Sequence, residues 1–77
     1  MTVQILGTGC AKCKKLYEAA SQAVTDSGVQ ADLVKIEDVQ QIVAMGVMMT
    51  PALAIDGQVK SAGKLLTPGE IAALLRG

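Results

Sequence analysis

The sequence predicts an α/β fold in which a four-stranded mixed sheet is flanked by three helices. Short β-branched segments alternate with segments of helical periodicity, in the order β-α-β-α-β-β-α. The first three elements form a β-α-β unit, whose right-handed crossover makes its two strands parallel. Between the third and fourth strands, Asp56-Gly57 is typical of a tight antiparallel hairpin. We expect residues 1–77 to form one domain, because the chain is too short for two.

The first half of the chain supplies two predicted strands and one amphipathic helix. Thr2 to Leu6 alternates between polar and apolar residues, as a half-buried strand does. Apolar residues recur at helical spacing from Ala11 to about Ser27, and Gly28 follows as a helix-ending glycine. Ala31 to Ile36 alternates again and is predicted as the second strand.

The second half supplies a short helix, a hairpin and a final helix. Asp38 is the predicted N-cap of the short helix, which Gly46 closes. Ala52 to Ile55 and Gln58 to Ser61 are the third and fourth strands. Thr67 to Glu70 (TPGE) gives an N-cap, a proline at the first helical position and a glutamate at the third. This pattern is a capping box, so we expect the last helix to begin there.

Composition argues against several classes of function. Seven basic and seven acidic residues give a formal net charge of zero, so no long-range field attracts nucleic acid or anionic lipid. Tyr17 is the only aromatic residue, which argues against base-stacking nucleic-acid binding. No apolar run approaches the roughly 18 residues that span a membrane, and no secretory signal opens the chain. We therefore expect a cytoplasmic protein.

Cys10 and Cys13 form a Cys-x-x-Cys pair between the first strand and the first helix. Cytoplasmic thiols are kept reduced, so a purely structural disulfide is not expected here. The dipole and free N–H groups of a helix N-terminus stabilise a thiolate, which lowers the pKa of Cys10. Lys12 adds a positive charge nearby, while Cys13 falls in the apolar stripe of the helix. We therefore predict that Cys10 attacks a substrate disulfide and that Cys13 resolves the mixed disulfide.

The same pair admits other interpretations. Two thiolates can bind a soft metal ion such as copper, or form half of a zinc site that a dimer would complete. The chain has no histidine and no third cysteine, so we assign no metal site within it. The pair could also serve a redox sensor, or be two unpaired core cysteines at helical spacing. A heavy-metal-associated copper chaperone has the order β-α-β-β-α-β, which ends on a strand, whereas this chain ends on a capped helix.

Two segments carry a family resemblance. GTGCAKCKKL near the start, and MTPALAIDG about 40 residues later, resemble the small thioredoxin-like, glutaredoxin-sized redox-active disulfide proteins of archaea and bacteria. The resemblance spans essentially the whole chain and implies a minimal thioredoxin fold. It implies that Pro51 is cis and packs against the disulfide, and that the backbone of Thr50 pairs with a substrate strand.

The resemblance also implies partners and a redox group. The expected partners are a disulfide reductase that supplies electrons and protein disulfides that receive them, with the protein itself a monomer. No cofactor is expected beyond the Cys10–Cys13 disulfide. A glutathione site is not supported, because no cluster of groups stands out that would hold its two carboxylates.

Some positions depart from larger thioredoxins. Gly9 stands where a tryptophan precedes the first cysteine, and Lys12 stands where a proline precedes the second. Gln4 replaces an acidic residue that could accept a proton, so the route of proton transfer stays open. Gly63 is expected to allow a close backbone approach beside the disulfide, or to be a plain turn glycine. The three methionines Met45, Met48 and Met49 are interpreted as gap fillers or an adaptable apolar contact surface.

Overall fold

A computed structural model describes all residues from 1 to 77 and has the predicted element order. The strands are β1 (Thr2–Leu6), β2 (Asp32–Ile36), β3 (Ala52–Ile55) and β4 (Gln58–Ala62). The helices are α1 (Ala11–Ser27), α2 (Val39–Ala44) and α3 (Pro68–Arg76). The predicted fold class is confirmed. Two predicted boundaries are off by one residue. Strand β2 begins one residue later, and strand β4 ends one residue later, than the sequence pattern indicates.

The sheet has the strand order β2-β1-β3-β4. Strands β1 and β2 are parallel, with Leu6 paired with Ile36, whereas β3 is antiparallel to both β1 and β4. Leu6 is also paired with Ala52, the first residue of β3. The ends of β1 and β2 and the start of β3 therefore meet at one edge of the sheet. The residues that immediately follow or precede these strand ends are brought together there.

The two faces of the sheet have separate hydrophobic cores. Eleven buried residues on the face that α1 and α3 cover form the larger core: Val3, Ile5, Leu16, Ala20, Ala23, Leu53, Ile55, Leu66, Ile71, Ala72 and Leu75. Five buried residues on the face that α2 covers form the smaller core: Leu6, Ile42, Val47, Ala52 and Ala54. Successive residues of β1 and β3 contribute to opposite cores because side chains alternate across a strand.

The helix ends follow the predicted capping. Gly28 ends α1 in the left-handed conformation, with φ 70°. The Asp38 side chain accepts a 2.9 Å hydrogen bond from the backbone N–H of Gln40 at the start of α2. At the start of α3, Thr67 Oγ1 accepts from the Glu70 N–H at 3.2 Å, and Glu70 accepts from the Thr67 N–H at 3.1 Å. These reciprocal bonds confirm the capping box.

Each of the three helices is either short or contains charged side chains. The longest, α1, has 17 residues and includes Lys12, Lys14 and Glu18. The other two have 6 and 9 residues. No helix combines the length and the apolar character that crossing a membrane requires.

Candidate active site

Gly7 is the point at which the parts of the site meet. It directly follows β1, and its N–H donates a 2.9 Å hydrogen bond to the carbonyl of Ile36 at the end of β2. A Cβ at Gly7 would overlap Cys13 Sγ, lie 3.3 Å from Cys13 Cβ and lie 3.9 Å from Pro51 Cα. Only a residue without a side chain lets α1 and the segment before β3 approach β1 this closely.

Cys10 is the N-cap of α1 and is exposed. Its carbonyl accepts the first helical hydrogen bond from the Lys14 N–H at 3.1 Å, and its Sγ accepts from the Cys13 N–H at 3.3 Å. Hydrogen bonds from the Cys13 side chain and backbone lower the pKa of Cys10. The Lys12 backbone N–H contributes to the same shift. Lys12 thus lowers this pKa through its backbone N–H, whereas the sequence suggested that its ammonium charge would do so.

Cys13 lies one turn further into α1 and is only 6% exposed. Burial raises the pKa of the Cys13 thiol, and its hydrogen bond with the Cys10 side chain raises it further. The Sγ atoms of the two residues are 2.6 Å apart, and both thiols are free. The two cysteines therefore form an asymmetric pair, in which one sulfur is accessible with a lowered pKa and the other is buried with a raised pKa.

This asymmetry fixes what each sulfur can do chemically. The thiolate is the nucleophilic form of cysteine, and an external disulfide can reach only an accessible sulfur. The lowered pKa and the exposure of Cys10 favour both conditions, whereas the raised pKa and the burial of Cys13 oppose both. Cys13 is nonetheless adjacent to the Cys10 sulfur, so an intramolecular attack needs little movement of the backbone.

Pro51 lies across Gly7 from the cysteines. The Thr50–Pro51 peptide bond is cis, as the family resemblance implies. The Pro51 ring is fully buried, whereas Thr50 is exposed beside it. The Pro51 carbonyl accepts a 2.8 Å hydrogen bond from the Gly63 N–H, which ties this segment to the end of β4.

The close approach at Gly63 is to a methionine. Gly63 has φ 72°, and a Cβ there would lie 3.0 Å from Met49 Cβ. The glycine that makes room for a cysteine is Gly7, which was not singled out from the sequence. Its position between a strand end and a Cys-x-x-Cys pair was the available signal.

Exposed apolar and basic side chains are close in sequence to the site residues. Met48 is 94% exposed and Met49 is 64% exposed, directly before Thr50. This exposure agrees with the interpretation of these two methionines as a contact surface. Lys12, Lys14 and Lys15 are exposed on α1. No group of three or more histidine, cysteine, aspartate or glutamate side chains comes together in a way that could hold a metal ion.

A cysteine pair at a helix N-terminus, set against a cis-proline at the start of a central strand, defines a thioredoxin-type domain. The family model described as "Thioredoxin domain" matches residues 1–76. The chain belongs to this family.

Two archaeal relatives agree with this assignment. A protein named "Thioredoxin" from Methanothermobacter thermautotrophicus (strain Delta H) is 40% identical over 75 residues, which cover 97% of each chain. Another protein of that name, from Methanocaldococcus jannaschii, is 39% identical over 71 residues. That match covers 92% of this chain and 81% of the relative.

Proposed function

We propose that this protein is a protein-disulfide reductase that works through the Cys10/Cys13 dithiol. The observation that carries the proposal is the asymmetric pair, with an exposed sulfur of lowered pKa beside a buried sulfur of raised pKa. Membership of the thioredoxin domain family and two relatives named thioredoxin support thiol–disulfide chemistry. The order of elements, which ends on α3, does not match that of the metal-chaperone alternative.

The reaction takes place in two exchanges. The Cys10 thiolate attacks a substrate disulfide, forms a mixed disulfide with one substrate sulfur and releases the other as a thiolate. Cys13 then loses its proton and attacks the Cys10 sulfur. The Cys10–Cys13 disulfide forms, and the second substrate sulfur leaves as a thiolate. The substrate gains two electrons, the dithiol loses two, and protons from water complete the substrate thiols.

The substrate is held by the segment before β3. An extended substrate strand can pair with the exposed backbone of Thr50, next to Pro51, by adding an edge strand. The exposed side chains of Met48 and Met49 supply an apolar surface of adjustable shape, which suits substrates of varied sequence. Three further residues support the site. Gly9 and Lys12 directly precede the two cysteines in the chain, and Gly63 hydrogen-bonds to the Pro51 carbonyl.

A partner reductase returns electrons to the Cys10–Cys13 disulfide, and no other cofactor takes part. The protein works as a monomeric single domain of residues 1–77, in the reducing environment of the cytoplasm. The exposed lysines beside Cys10 offer complementary charge to an acidic reductase or substrate surface.

Trapping with single cysteine variants tests the assignment of roles. The Cys13→Ser variant should accumulate a mixed disulfide between Cys10 and a reduction target such as insulin, because the resolving attack is lost. Cys10→Ser is the matched control and should form no adduct, since its remaining thiol is buried. Equal trapping by both variants, or trapping by Cys10→Ser alone, would contradict the proposed roles.

A redox titration in a metal-free dithiol buffer tests the direction of electron flow. We expect a reversible two-electron transition near the thioredoxin value of about −270 mV. A value above about −200 mV would instead indicate an isomerase-like or oxidising role. If no intramolecular disulfide forms, the reductase proposal fails, and a copper or zinc titration then decides whether the pair binds metal.

A further inference from the structure

A small cleft leads from the surface to the buried cysteine. It has a volume of about 100 Å³ and is the only one of three cavities that a cysteine lines. Cys13 forms part of its wall, together with Tyr17 on α1 and Lys35 on β2. Because a water molecule occupies about 30 Å³ in the liquid, the cleft can hold a short chain of waters.

The resolving step needs such a path, because Cys13 must lose a proton before it can attack. Burial favours the neutral thiol of Cys13 and raises its pKa. The β1 residue Gln4 has no ionisable group, and its Oε1 already accepts a 3.2 Å hydrogen bond from the Gly57 N–H in the β3–β4 hairpin. Strand β1 therefore supplies no carboxylate that could accept the proton.

Glu37 is the only carboxylate that lines the cleft. It directly follows β2, whose parallel pairing with β1 brings the two strand ends to the same edge of the sheet. Its Oε2 lies 3.5 Å from the position that a Cβ of Gly9 would occupy, next to the Cys10 backbone. The Glu37 side chain is exposed to solvent, and Lys14 and Lys35 also line the cleft.

The other charged groups that line the cleft are two lysines. Lys35 Nζ lies 4.6 Å from the centroid of the Tyr17 ring, which holds the ammonium group over the α1 side of the cleft. Lys14 adds a second cation from α1. A cation that lies close to a thiol favours its thiolate form, so the sign of the charge on both lysines suits the loss of a proton from Cys13.

We propose that Glu37 accepts the Cys13 proton through water in this cleft during the resolving step. As the proton leaves, Cys13 Sγ attacks Cys10 Sγ, the bond between Cys10 and the substrate sulfur breaks, and the Cys10–Cys13 disulfide forms. The substrate sulfur leaves with the electron pair as a thiolate. Glu37 later returns its proton to solvent. This inference rests on the proposed dithiol function and supplies the proton route that it needs.

A stopped-flow reaction with the chromogenic disulfide 5,5′-dithiobis(2-nitrobenzoate) separates the two exchanges. Attack by Cys10 releases the first chromophore at a rate that depends on reagent concentration, and attack by Cys13 releases the second at a rate that does not. In Glu37→Gln we expect the second phase to be about tenfold slower at neutral pH and the first phase to be unchanged. The difference should vanish at high pH, where hydroxide ionises Cys13 directly.

Two further variants distinguish proton transfer from a general effect of charge or packing. Glu18→Gln removes the same charge from an exposed position of α1 outside the cleft and should leave the second phase unchanged. Glu37→Ala should recover its second phase as acetate is added, because a small carboxylate can replace the missing group. Recovery would support the proposal, and its absence would contradict a direct role in proton transfer.

Other outcomes are equally decisive. The proposal is wrong if Glu37→Gln matches the wild type at every pH, if it is slowed equally at every pH, or if Glu18→Gln is slowed as much. Failure of the underlying dithiol function has a different signature, since the wild-type protein itself would then show no second phase.

Discussion

The two faces of the sheet differ in how firmly they are covered. Two helices, α1 and α3, close one face over eleven buried residues, whereas the six-residue α2 closes the other over five. The helix α2 also leaves Val39 and Val43 largely exposed, with Val43 at 64%. Local stability follows the amount of buried apolar surface, so the α2 face is the part of the fold that opens most easily.

The candidate site joins a helix of the larger core to a segment that is attached to the smaller core. Cys13 belongs to α1, on the thickly covered face, and is held in place by a long helix. The exposed residues Met48, Met49 and Thr50 instead follow α2 and Val47 along the chain, and Val47 belongs to the smaller core. The fold thus combines a fixed redox pair with a substrate-facing segment on its less stable side, where adjustment to varied substrates costs less.

Shortening one isoleucine on each face should give the largest contrast. We expect Ile71→Ala in α3 to lower the free energy of unfolding by about 4 kcal/mol and Ile42→Ala in α2 by about 2 kcal/mol. The difference arises because Ile71 is surrounded by the larger core, whereas the region around Ile42 can relax. Urea denaturation followed by circular dichroism measures both values. Equal losses, or a larger loss for Ile42→Ala, would remove the distinction between the faces.

Adding one methyl group at Gly7, between α1 and the segment before β3, should have the next largest effect. Gly7→Ala places a Cβ against Cys13 Sγ, and overpacking of this kind costs about 2 kcal/mol. Because Cys13 must shift, the second phase of the stopped-flow reaction should also slow. Gly69→Ala is the matched control, since its Cβ would meet no atom closer than 3.9 Å. If Gly7→Ala were as stable and as fast as Gly69→Ala, the contact at Gly7 would not hold Cys13 in place.

Comparing the reactivity of the two thiols should show the smallest contrast. The lowered pKa of Cys10 keeps it ionised at a lower pH than Cys13, whose pKa burial raises. We expect iodoacetamide to modify Cys10 about tenfold faster at neutral pH, with the ratio falling as the pH rises and Cys13 ionises. Mass spectrometry of tryptic peptides measures both rates. Faster modification of Cys13 would reverse the assigned roles.

Local signals in the sequence predicted nearly all of the fold. The Thr67 to Glu70 capping box, the Gly28 helix end and the Asp56-Gly57 hairpin each depend on residues a few positions apart, so they can be read without a structure. The two errors of one residue, at Ala31 and Ala62, lie at strand ends, where pairing with a neighbouring strand decides the boundary.

The site was only partly predictable for a related reason. Cys10, Cys13 and Pro51 stand out by spacing or residue type, and the family resemblance joined them. Gly7 and Glu37 do not stand out, because their importance depends on the parallel register of β1 and β2. That register is a contact between residues about 30 positions apart, and no local pattern specifies which glycine or which glutamate it brings beside a sulfur.

The position of Tyr17 has a practical consequence for spectroscopy. Tyr17 is the only aromatic residue, since the chain has no tryptophan and no phenylalanine. It lines the same cleft as Cys13. All intrinsic fluorescence, and all aromatic near-ultraviolet circular dichroism, therefore arise from one ring beside the redox pair. Oxidation of the dithiol can be followed in the unlabelled protein through tyrosine fluorescence, to which no other part of the chain contributes.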